Sequence, residues 1–323
     1  MRAFITGASG FIGTHLVSYL LKEHWEIKIL QHKTPFPSLK NRVKVIQGDV
    51  RDYHLLEKSL SRGDIVFNLA SVLGASLKTE KEFFEINALG TKNVLQAALE
   101  KGVNKFIHFS SAGVLGSVKK REIADEDYPL NPEDIYEKSK FEGEKIALEF
   151  VRKGVNIIII RPGWVYGPGD KRTFKLIKAI AKGRFFLIGK GETNQTPIYI
   201  NDLIRGIYLC TQKGVPGEIY HLAGLEVLTV KEMAEIISKE VGRKLPFFRL
   251  PLFPTEIFAW GMDKVFKIFK AEAPLTPSKV SFFVKAKPLS VKKAQQELGF
   301  YPKMSFTQGI KKSIAWYREQ GWL

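Results

Sequence analysis

The fold of this chain is decided by the stretch Thr6-Gly7-Ala8-Ser9-Gly10-Phe11-Ile12-Gly13, which follows a short apolar run and precedes a helical pattern of apolar residues. The order of strand, glycine turn and helix is typical of a phosphate-binding site, because free amide groups and the positive dipole end of the helix face the anion. We expect Gly7 to permit a tight turn and Gly10 to let the backbone approach a pyrophosphate. We expect Gly13 to let helix and strand pack closely.

The composition indicates a globular protein of a reducing compartment. The chain has 323 residues, 45% of them hydrophobic, which is enough for a large domain with a smaller lobe. Its single cysteine, Cys210, excludes a disulfide framework or a cysteine metal cluster, and the histidines show no metal-ligand spacing. No apolar run is long enough to cross a bilayer, and Arg2 and Ala3 lead straight into the first strand without room for a signal peptide. We therefore expect a cytoplasmic protein without a metal.

The chain is strongly basic, with 50 Lys and Arg against 33 Asp and Glu and a net charge of +17. Such a surface attracts anions, which include phosphorylated cofactors, acidic substrates, nucleic acid and anionic lipid. The basic residues are scattered and no nucleic-acid-binding module is visible, so we expect a lysine-covered surface and no nucleic-acid partner.

Strand and helix patterns alternate along most of the chain. Alternation of this kind predicts an α/β fold with a Rossmann-like, doubly wound parallel sheet, whose buried strands read as continuous apolar runs. The predicted strands are residues 3–5, 25–30, 43–50, 65–70, 106–109, 157–160 and 218–222. The principal predicted helices follow the glycine turn and cover residues 85–98, 136–152 and 173–182.

The end of the second strand bears on the choice of cofactor. In a dinucleotide fold an acidic residue here would bond the adenosine ribose of NAD and repel the additional phosphate of NADP. This chain has the neutral Gln31 followed by His32 and Lys33, which favours NADP over NAD with Lys33 as the 2′-phosphate partner. Lys33 is equally compatible with a solvated loop lysine.

Three further residues predict proton transfer beside a nicotinamide. Tyr136 and Lys140 lie four residues apart on a predicted helix and therefore share a face. A neighbouring ammonium favours the phenolate and would lower the pKa of Tyr136 toward neutrality. The hydroxyl of Ser111, at the end of the fifth strand, could hydrogen-bond a substrate oxygen opposite the phenol.

Taken together, these motifs resemble the extended short-chain dehydrogenases/reductases, the superfamily of nucleotide-sugar epimerases and related reductases. The resemblance covers nearly the whole chain, and its motifs occur in the expected order. They are the glycine turn, the Asn-Leu-Ala strand end at 68–70, Asn87 with Gly90-Thr91, Ser110-Ser111, Tyr136/Lys140, the run 161–169, Tyr199-Ile200-Asn201-Asp202, and Leu298-Gly299-Phe300-Tyr301-Pro302.

The resemblance implies a role for each matching residue. Tyr136 would be the acid/base, Lys140 would hold the nicotinamide ribose and tune Tyr136, and Ser111 would polarise the reacting oxygen. Asp49 would reach the adenine, although from sequence it could instead cap the helix that begins at Tyr53. The residues implied to line the cofactor groove are Gly7, Gly10, Phe11, Ile12, Gly13, Asp49, Val50, Leu69, Ala70, Asn87, Lys140 and Pro162.

The resemblance also implies a division of the chain. Residues 1–170 would form the dinucleotide-binding domain, and residues 198–225 would return to it. Residues 171–197 and 226–323 would form a smaller α+β lobe that selects the substrate. Many relatives pair through a four-helix bundle that includes the Tyr136 helix and the helix at 85–98, so a homodimer is expected.

The lobe departs from the nucleotide-sugar pattern. Gln195 and a position near Val280 stand where such members use arginines to grip a diphosphate, and neutral groups replace a bidentate arginine poorly. Within the stretch 246–270, Phe258, Met262, Val265, Phe266 and Phe269 fall on one helical face and Lys264, Lys267 and Lys270 on another. This layout resembles hydroxysteroid dehydrogenase-like and dihydroflavonol reductase-like members. The helix could pack on its own lobe, the expectation we favour, or rest on a membrane surface.

Three functions follow as hypotheses. The first is an NAD(P)-dependent oxidoreductase acting reversibly on a secondary alcohol or ketone of a small, fairly apolar molecule. The second is a nucleotide-sugar 4-epimerase of the UDP-hexose type. The third is a non-catalytic NAD(P)-sensing or binding protein, against which the intact Ser111, Tyr136 and Lys140 argue. Dehydratase chemistry is disfavoured because Ala112 and Gly113 follow Ser111 where sugar dehydratases place an acid pair.

Overall fold

The central element of the fold is a seven-stranded parallel sheet with helices on both faces. The computed structural model describes residues 1–36, 42–73, 78–269, 271 and 273–323. The strands of the sheet are β1 (Arg2–Thr6), β2 (Glu26–Gln31), β3 (Lys44–Gln47), β4 (Ile65–Asn68), β5 (Lys105–Phe109), β6 (Ile157–Pro162) and β10 (Ile219–Leu222). Their order is β3-β2-β1-β4-β5-β6-β10, which confirms the Rossmann-like, doubly wound sheet.

The helices of the first half cover this sheet. They are α1 (Phe11–Lys22), α2 (Tyr53–Ser59), α3 (Glu80–Phe84), α4 (Gly90–Lys101) and α5 (Ile135–Arg152). The four consecutive isoleucines of β6 are fully buried, because its two faces are both covered. One apolar cluster includes Ile158 and Ile160 and the other includes Ile157 and Ile159, so the strand contributes to the cores on both sides of the sheet.

Chain direction fixes the position of the functional edge. Strand β1 pairs with β2 on one side and with β4 on the other, and the chain proceeds outward in opposite directions from this point. Thr6 is in register with Asn68, so the turns that follow β1 and β4 lie side by side. A crevice at the carboxyl ends of strands where the order reverses is the usual ligand site of such sheets.

The second half returns to the sheet before it forms further elements. Helix α7 (Ile200–Lys213) packs against α1, and β10 joins the sheet edge beside β6. The remaining elements are β7 (Trp164–Tyr166), α6 (Lys171–Ala181), β8 (Asn194–Gln195), β9 (Pro197–Tyr199), β11 (Leu228–Thr229), α8 (Val230–Glu240), α9 (Leu252–Ile268), α10 (Pro277–Val284) and α11 (Phe306–Glu319). Strand β7 pairs with β9 in parallel, and β8 pairs with β11 in antiparallel fashion. The domain boundaries stay a prediction.

Several local predictions are corrected by the structure. The predicted helix at 85–98 is continuous with α3, begins earlier, and contains a π-helical turn at Glu85–Leu89. The apolar run at 185–188, which also predicts a short strand, contributes only an isolated bridge between Ile188 and Leu250. Lys270, predicted on the basic face of α9, lies outside the described residues. Across the part of the chain that the structure describes, no helix is both long and apolar enough to traverse a bilayer.

Candidate active site

The glycine turn after β1 has the geometry that a phosphate site needs. Gly7 has a φ of +69°, and a Cβ there would lie 2.6 Å from the backbone carbon of Leu69. At Gly13 a Cβ would lie 2.3 Å from the Gly7 oxygen, so the helix approaches the turn as closely as predicted. At Gly10 the nearest atom would be the same oxygen at 3.2 Å, which leaves the outer side of the turn open.

Gly10 is also the N-cap residue of α1. Since glycine has no side chain, the first amide groups of α1 have no side-chain cap. Phe11 and Ile12, both half-buried, form the first turn of this helix and pack on the main core. An uncapped helix N-terminus beside an open glycine turn fits the pyrophosphate of a dinucleotide.

A small polar network fixes the neighbouring wall of the crevice. The Thr6 hydroxyl donates to the Asn68 side-chain oxygen at 2.7 Å and accepts from the Ala70 amide at 3.1 Å. The Asn68 amide donates to Thr91 on α4 at 3.1 Å. Leu69 and Ala70 are therefore held against Gly7, in the position predicted for residues that line the groove.

Asn87 links the segment after β4 to helix α5. Its side chain is fully buried, accepts from the Val72 amide at 2.8 Å and donates to the Val72 carbonyl at 3.2 Å. It also donates to the Ser139 hydroxyl at 2.9 Å, which in turn donates to the Tyr136 carbonyl at 2.8 Å. Because its polar atoms are engaged, Asn87 positions the segment after β4 relative to α5.

Asp49, predicted to reach the adenine or to cap α2, lies in a cluster of charged and polar side chains. Asp52, not Asp49, caps α2, with its side chain accepting from the Leu55 amide. Asp49 instead lies 2.8 Å from the Arg51 guanidinium and 3.2 Å from the His32 ring. Burial opposes ionisation of Asp49, but its hydrogen bonds and ion pair with Arg51 leave the pKa of the carboxyl below its ordinary value.

Three other residues predicted for the groove differ in accessibility. Val50 is buried, and a Cβ at Gly90 would lie 2.6 Å from its side chain, so Val50 packs beneath the groove on α4. Lys33 is exposed in the segment after β2. Pro162 ends β6 and is half-buried beside Leu222 of β10.

The structure brings Ser111 and Tyr136 together. Ser111 follows β5, caps the short 3₁₀ helix Ala112–Leu115, and accepts a hydrogen bond from the Gly113 amide at 3.0 Å. Its side chain also lies close enough to the Tyr136 phenol to act on the pKa of that phenol. Both groups lie at the carboxyl end of the sheet, as an acid/base beside a bound nicotinamide requires.

The predicted effect of Lys140 on Tyr136 is not observed. Burial raises the pKa of the Tyr136 phenol, while the hydrogen bond with Ser111 and then the charge of Arg172 oppose this rise. Lys140 has no resolved part in the shift, because its ammonium donates to the Phe109 carbonyl at the end of β5. Two residues that share a helix face thus have different partners.

Lys140 is itself strongly affected by its surroundings. It is only 3% exposed, and burial lowers its pKa to about 8, although the nearby Glu144 carboxylate acts in the opposite direction. His108 on β5 is fully buried, and neither ring nitrogen finds a hydrogen-bond partner among the described residues. Burial, followed by the charge of Lys140, holds the pKa of His108 well below its ordinary value, so this imidazole is neutral.

Sequence reasoning missed a buried ion pair behind the site. Glu144 accepts from the Ser110 hydroxyl at 2.5 Å and from two nitrogens of Arg161 at 3.0 and 2.5 Å. Both charged side chains are 1% exposed, so they fasten α5 to the ends of β5 and β6. The available signal was the spacing of Glu144, four residues after Lys140 on the same helix.

A second missed feature joins helix α5 to the C-terminal half of the chain. Glu137 follows Tyr136, is buried, and lies 2.7 Å from the Lys287 ammonium and 3.1 Å from the Lys285 ammonium. Burial alone would raise the pKa of Glu137, but Lys287 and then the other partners outweigh it and lower the pKa. A Cβ at Gly113 would be 3.1 Å from Glu137, so this carboxylate borders the loop that carries Ser111.

Neutral residues occupy the two positions of the second half where nucleotide-sugar members use arginines, and aromatic residues lie near them. Gln195 is buried, and its amide donates to the Lys285 carbonyl at 2.8 Å. Val280 is buried in a cluster with Ile188 and Ala259. The half-buried Trp164, which follows the groove residue Pro162 by two positions, has its ring 5.4 Å from that of Phe282.

The fold and these side chains together define a nicotinamide-dependent enzyme of the short-chain dehydrogenase/reductase type. The NAD dependent epimerase/dehydratase family matches residues 3–223, and the chain belongs to this family.

Relatives in the family differ in their reactions. A 3 beta-hydroxysteroid dehydrogenase/Delta 5-->4-isomerase of Mycobacterium tuberculosis is 27% identical, over 98% of this chain and 90% of the relative. The N-acetyl-alpha-D-glucosaminyl-diphospho-ditrans,octacis-undecaprenol 4-epimerase of Escherichia coli O157:H7 is 26% identical, over 97% of this chain and 94% of the relative. A solved dTDP-glucose 4,6-dehydratase of Streptomyces venezuelae with NAD bound is 27% identical, has a TM-score of 0.81, and covers 100% of this chain and 98% of its own.

Proposed function

We propose that this enzyme transfers hydride reversibly between a nicotinamide cofactor and the secondary alcohol or ketone of a small, fairly apolar substrate. The observation that carries the proposal is the pairing of the Ser111 hydroxyl with the Tyr136 phenol at the carboxyl end of β5, beside the open glycine turn. Two hydroxyls on one substrate oxygen are what carbonyl reduction needs: one polarises the oxygen and the other supplies the proton.

In this proposal the glycine turn and the start of α1 hold the dinucleotide, which supplies or accepts hydride when bound. For ketone reduction, Tyr136 begins as a neutral phenol, since its pKa is raised. Ser111 donates to the carbonyl oxygen, and the phenol of Tyr136 gives its proton to the same oxygen as negative charge develops there. The ammonium of Lys140 donates to the Phe109 carbonyl and so fixes the end of β5, which Ser111 follows by two residues.

Residues of the second half of the chain support a substrate class. A diphosphate needs cationic partners, whereas Gln195 and Val280 are neutral, buried and committed to packing within the second half of the chain. Trp164 and Phe282 instead offer aromatic surface near the groove. These contacts support an apolar ketone or alcohol.

The experiment is a screen of NADPH and NADH oxidation by the purified protein against apolar ketones and nucleotide sugars. We expect turnover with the ketones, loss of that turnover in Tyr136→Phe, and no net redox change with the sugars. Turnover confined to nucleotide sugars would overturn the substrate class.

The cofactor preference is a separate proposal, in favour of NADP. The solved relative described above holds NAD, so this preference rests on the absence of an acidic residue at Gln31 and on the exposed His32 and Lys33 beyond it. Gln31 itself is occupied, because its side chain accepts from the Phe36 amide at 2.8 Å. We expect Lys33→Glu to weaken NADP binding far more than NAD binding in a calorimetric titration, with Lys22→Glu as a control of equal charge change. Equal effects on the two cofactors would refute the assignment.

A 4-epimerase is the second candidate, since one relative carries that activity. An epimerase retains its cofactor and returns the hydride to the opposite face, whereas a reductase releases it. Purified protein that carries tightly held NAD(H) and turns over without added cofactor would favour this candidate. The intact Ser111, Tyr136 and Lys140 disfavour the third candidate, a non-catalytic sensor. That candidate would gain support if Tyr136→Phe left the cellular function of the protein unchanged.

We also propose a cytoplasmic homodimer that pairs through α4 and α5. The family resemblance supports this arrangement, and light scattering of the purified protein tests the oligomeric state.

A further inference from the structure

Helix α9 carries its large apolar residues on its exposed side. Large apolar residues of α9 and the residue that follows it are exposed and form what we name the α9 patch: Phe253, Ile257, Phe258, Trp260, Ile268 and Phe269. Phe253 is 72% exposed, Ile268 77% and Phe269 76%. Helices of a folded domain normally bury such residues, and monomeric proteins seldom expose a continuous apolar surface of this extent.

The packed side of α9 carries the smaller residues. Thr255 and Ala259 are its buried positions, while Met262 and Phe266 are half-buried. Ala259 packs with Val280 of α10 and with Ile188. The helix thus packs on its own lobe as expected, but small residues fill most of the contact and several aromatic residues remain outside.

The surroundings of the patch are basic. Residues 241–270 contain six Lys or Arg against two Asp or Glu. Lys264 is exposed and its ammonium lies 3.7 Å from the ring centroid of Trp260, within the patch. Arg249 is exposed next to Phe248, and the guanidinium of the exposed Arg243 lies against Gly183.

The segment before α9 extends the same surface. Phe247 is fully exposed, Phe248 is 62% exposed, and the ring of Phe248 lies 6.5 Å from that of Phe186. The backbone of this segment is fixed by the bridge between Leu250 and Ile188. An ordered strip of aromatic residues thus continues from the helix to the basic residues.

We propose that the α9 patch docks on an anionic lipid surface, with α9 lying in the plane of the interface. Aromatic and aliphatic side chains would enter the boundary between headgroups and acyl chains, and the adjacent cations would remain with the headgroups. Trp260 with Lys264 above its ring suits the headgroup level, where amphipathic aromatic side chains concentrate. Charge complementarity selects lipid over a second copy of this chain, since two copies would bring two basic surfaces of a +17 protein together.

The patch is connected to the candidate active site by direct packing. Helix α9 contacts α10 through Ala259 and Val280, and Phe282 of α10 contacts Trp164 near the cofactor groove. Docking would hold this side of the crevice close to the bilayer, from which an apolar substrate could enter. Only the entry of substrate rests on the proposed function; the docking does not.

The test uses the full chain and vesicles of phosphatidylcholine with or without phosphatidylglycerol. We compare the wild type, the variant Phe253→Asp/Ile268→Asp and the control Ile123→Asp/Leu225→Asp by co-sedimentation at low and high salt. Ile123 and Leu225 are 57% and 58% exposed and lie outside the patch, so the two variants have the same charge change. Circular dichroism melts and light scattering establish folding and oligomeric state.

We expect the wild type and the control to bind phosphatidylglycerol vesicles, more weakly at high salt, and the patch variant to bind at least roughly tenfold less. Brominated lipid should quench wild-type fluorescence and should quench Trp260→Phe less, a result that does not depend on the double variants. Equal binding by patch variant and control would overturn the proposal, because the basic surface alone would then suffice. It would also be overturned if no protein bound, or if the patch variant only converted a dimer to a monomer.

Discussion

At the scale of single residues, the site depends on which partner each polar group finds. Ser110 and Ser111 are adjacent and identical in type, yet Ser110 is buried on Glu144 and Ser111 faces Tyr136. Sequence alone could identify Ser111, because it lies at the strand end in a known motif. The partner of Lys140 could not be predicted, because helical spacing fixes the shared face but not the rotamer that directs the ammonium to Phe109.

The first prediction concerns Tyr136. Replacing it by Phe removes the proton donor and leaves the hydrocarbon ring, so we expect kcat for ketone reduction to fall by about 10²–10⁴-fold. The cofactor Kd should change little, since the dinucleotide rests mainly on the glycine turn. Tyr128→Phe, which removes a hydroxyl that contacts Glu122 outside the site, is the matched control. A wild-type rate in Tyr136→Phe would contradict the assignment.

The second prediction concerns pH. Burial lowers the pKa of Lys140 to about 8, so the ammonium is mostly present at pH 7 and is lost as the pH rises through this value. If the ammonium supports reduction, the rate should be level below about pH 7 and fall above pH 8.

Lys140→Arg supplies the control for this profile, because a guanidinium stays charged at every pH of the assay. We expect the variant to lose the decline near pH 8, whatever its absolute rate. If the rate of Lys140→Arg declined at the same pH as that of the wild type, the decline would belong to the titration of another group.

At the scale of secondary-structure elements, the order of the sequence motifs predicts the parallel sheet, whereas local irregularities depend on side-chain contacts. The strand order and α5 were predictable from apolar runs and spacing. The π-helical turn at Glu85–Leu89 was not, because one additional residue in a helix leaves the apolar pattern almost unchanged. The ion pairs of Glu137 with Lys285 and Lys287 could not be predicted either, since about 150 residues separate the partners.

The third prediction separates two roles within the glycine turn. Gly13→Ala forces a methyl group to within 2.3 Å of the Gly7 oxygen, so we expect the free energy of unfolding to fall by about 2–3 kcal/mol. Gly10→Ala meets only the same oxygen at 3.2 Å and should leave stability within about 1 kcal/mol. Its methyl group would nevertheless fill the space for the pyrophosphate and weaken dinucleotide binding at least tenfold, or about 1.4 kcal/mol.

Urea denaturation and cofactor titration of both variants check this prediction. Gly261→Ala is a suitable control, since a Cβ there meets nothing within 4 Å. Normal cofactor affinity in Gly10→Ala would show that the dinucleotide does not approach the turn.

The fourth prediction concerns the joint between α5 and the segment 285–287. The pKa of Glu137 is lowered in the folded protein, so its stabilising contribution is present above the ordinary value of 4.5 and is lost as the pH falls through the folded value. Glu137→Gln should therefore reduce stability at pH 7 by about 2–4 kcal/mol, because it leaves two lysines without their buried partner. The difference from wild type should shrink below pH 4.5.

Glu142→Gln on the same helix is the control, because Glu142 pairs with Lys145 at an exposed position. Thermal melts between pH 4 and pH 8 give the comparison. A pH-independent difference would mean that packing, and not charge, accounts for the loss.

At the scale of the whole molecule, the first two hundred residues were more predictable than the remainder. Alternating strands and helices restrict a parallel sheet to few arrangements, whereas the short strands β8 and β11 and the helices α9 and α10 follow no repeating pattern. The apolar residues of α9 predicted an amphipathic helix correctly. They could not reveal that the apolar side is exposed, because periodicity identifies a face without identifying what covers it.

The central claim is that a nicotinamide dinucleotide lies across the carboxyl edge of the sheet, between the glycine turn and Tyr136. The most direct measurement is a crystal structure of the protein with NADP⁺. We predict pyrophosphate oxygens on the amides of Phe11 and Ile12, and the nicotinamide ring beside the Tyr136 hydroxyl. A dinucleotide bound elsewhere, or one whose nicotinamide points away from Ser111 and Tyr136, would contradict the account.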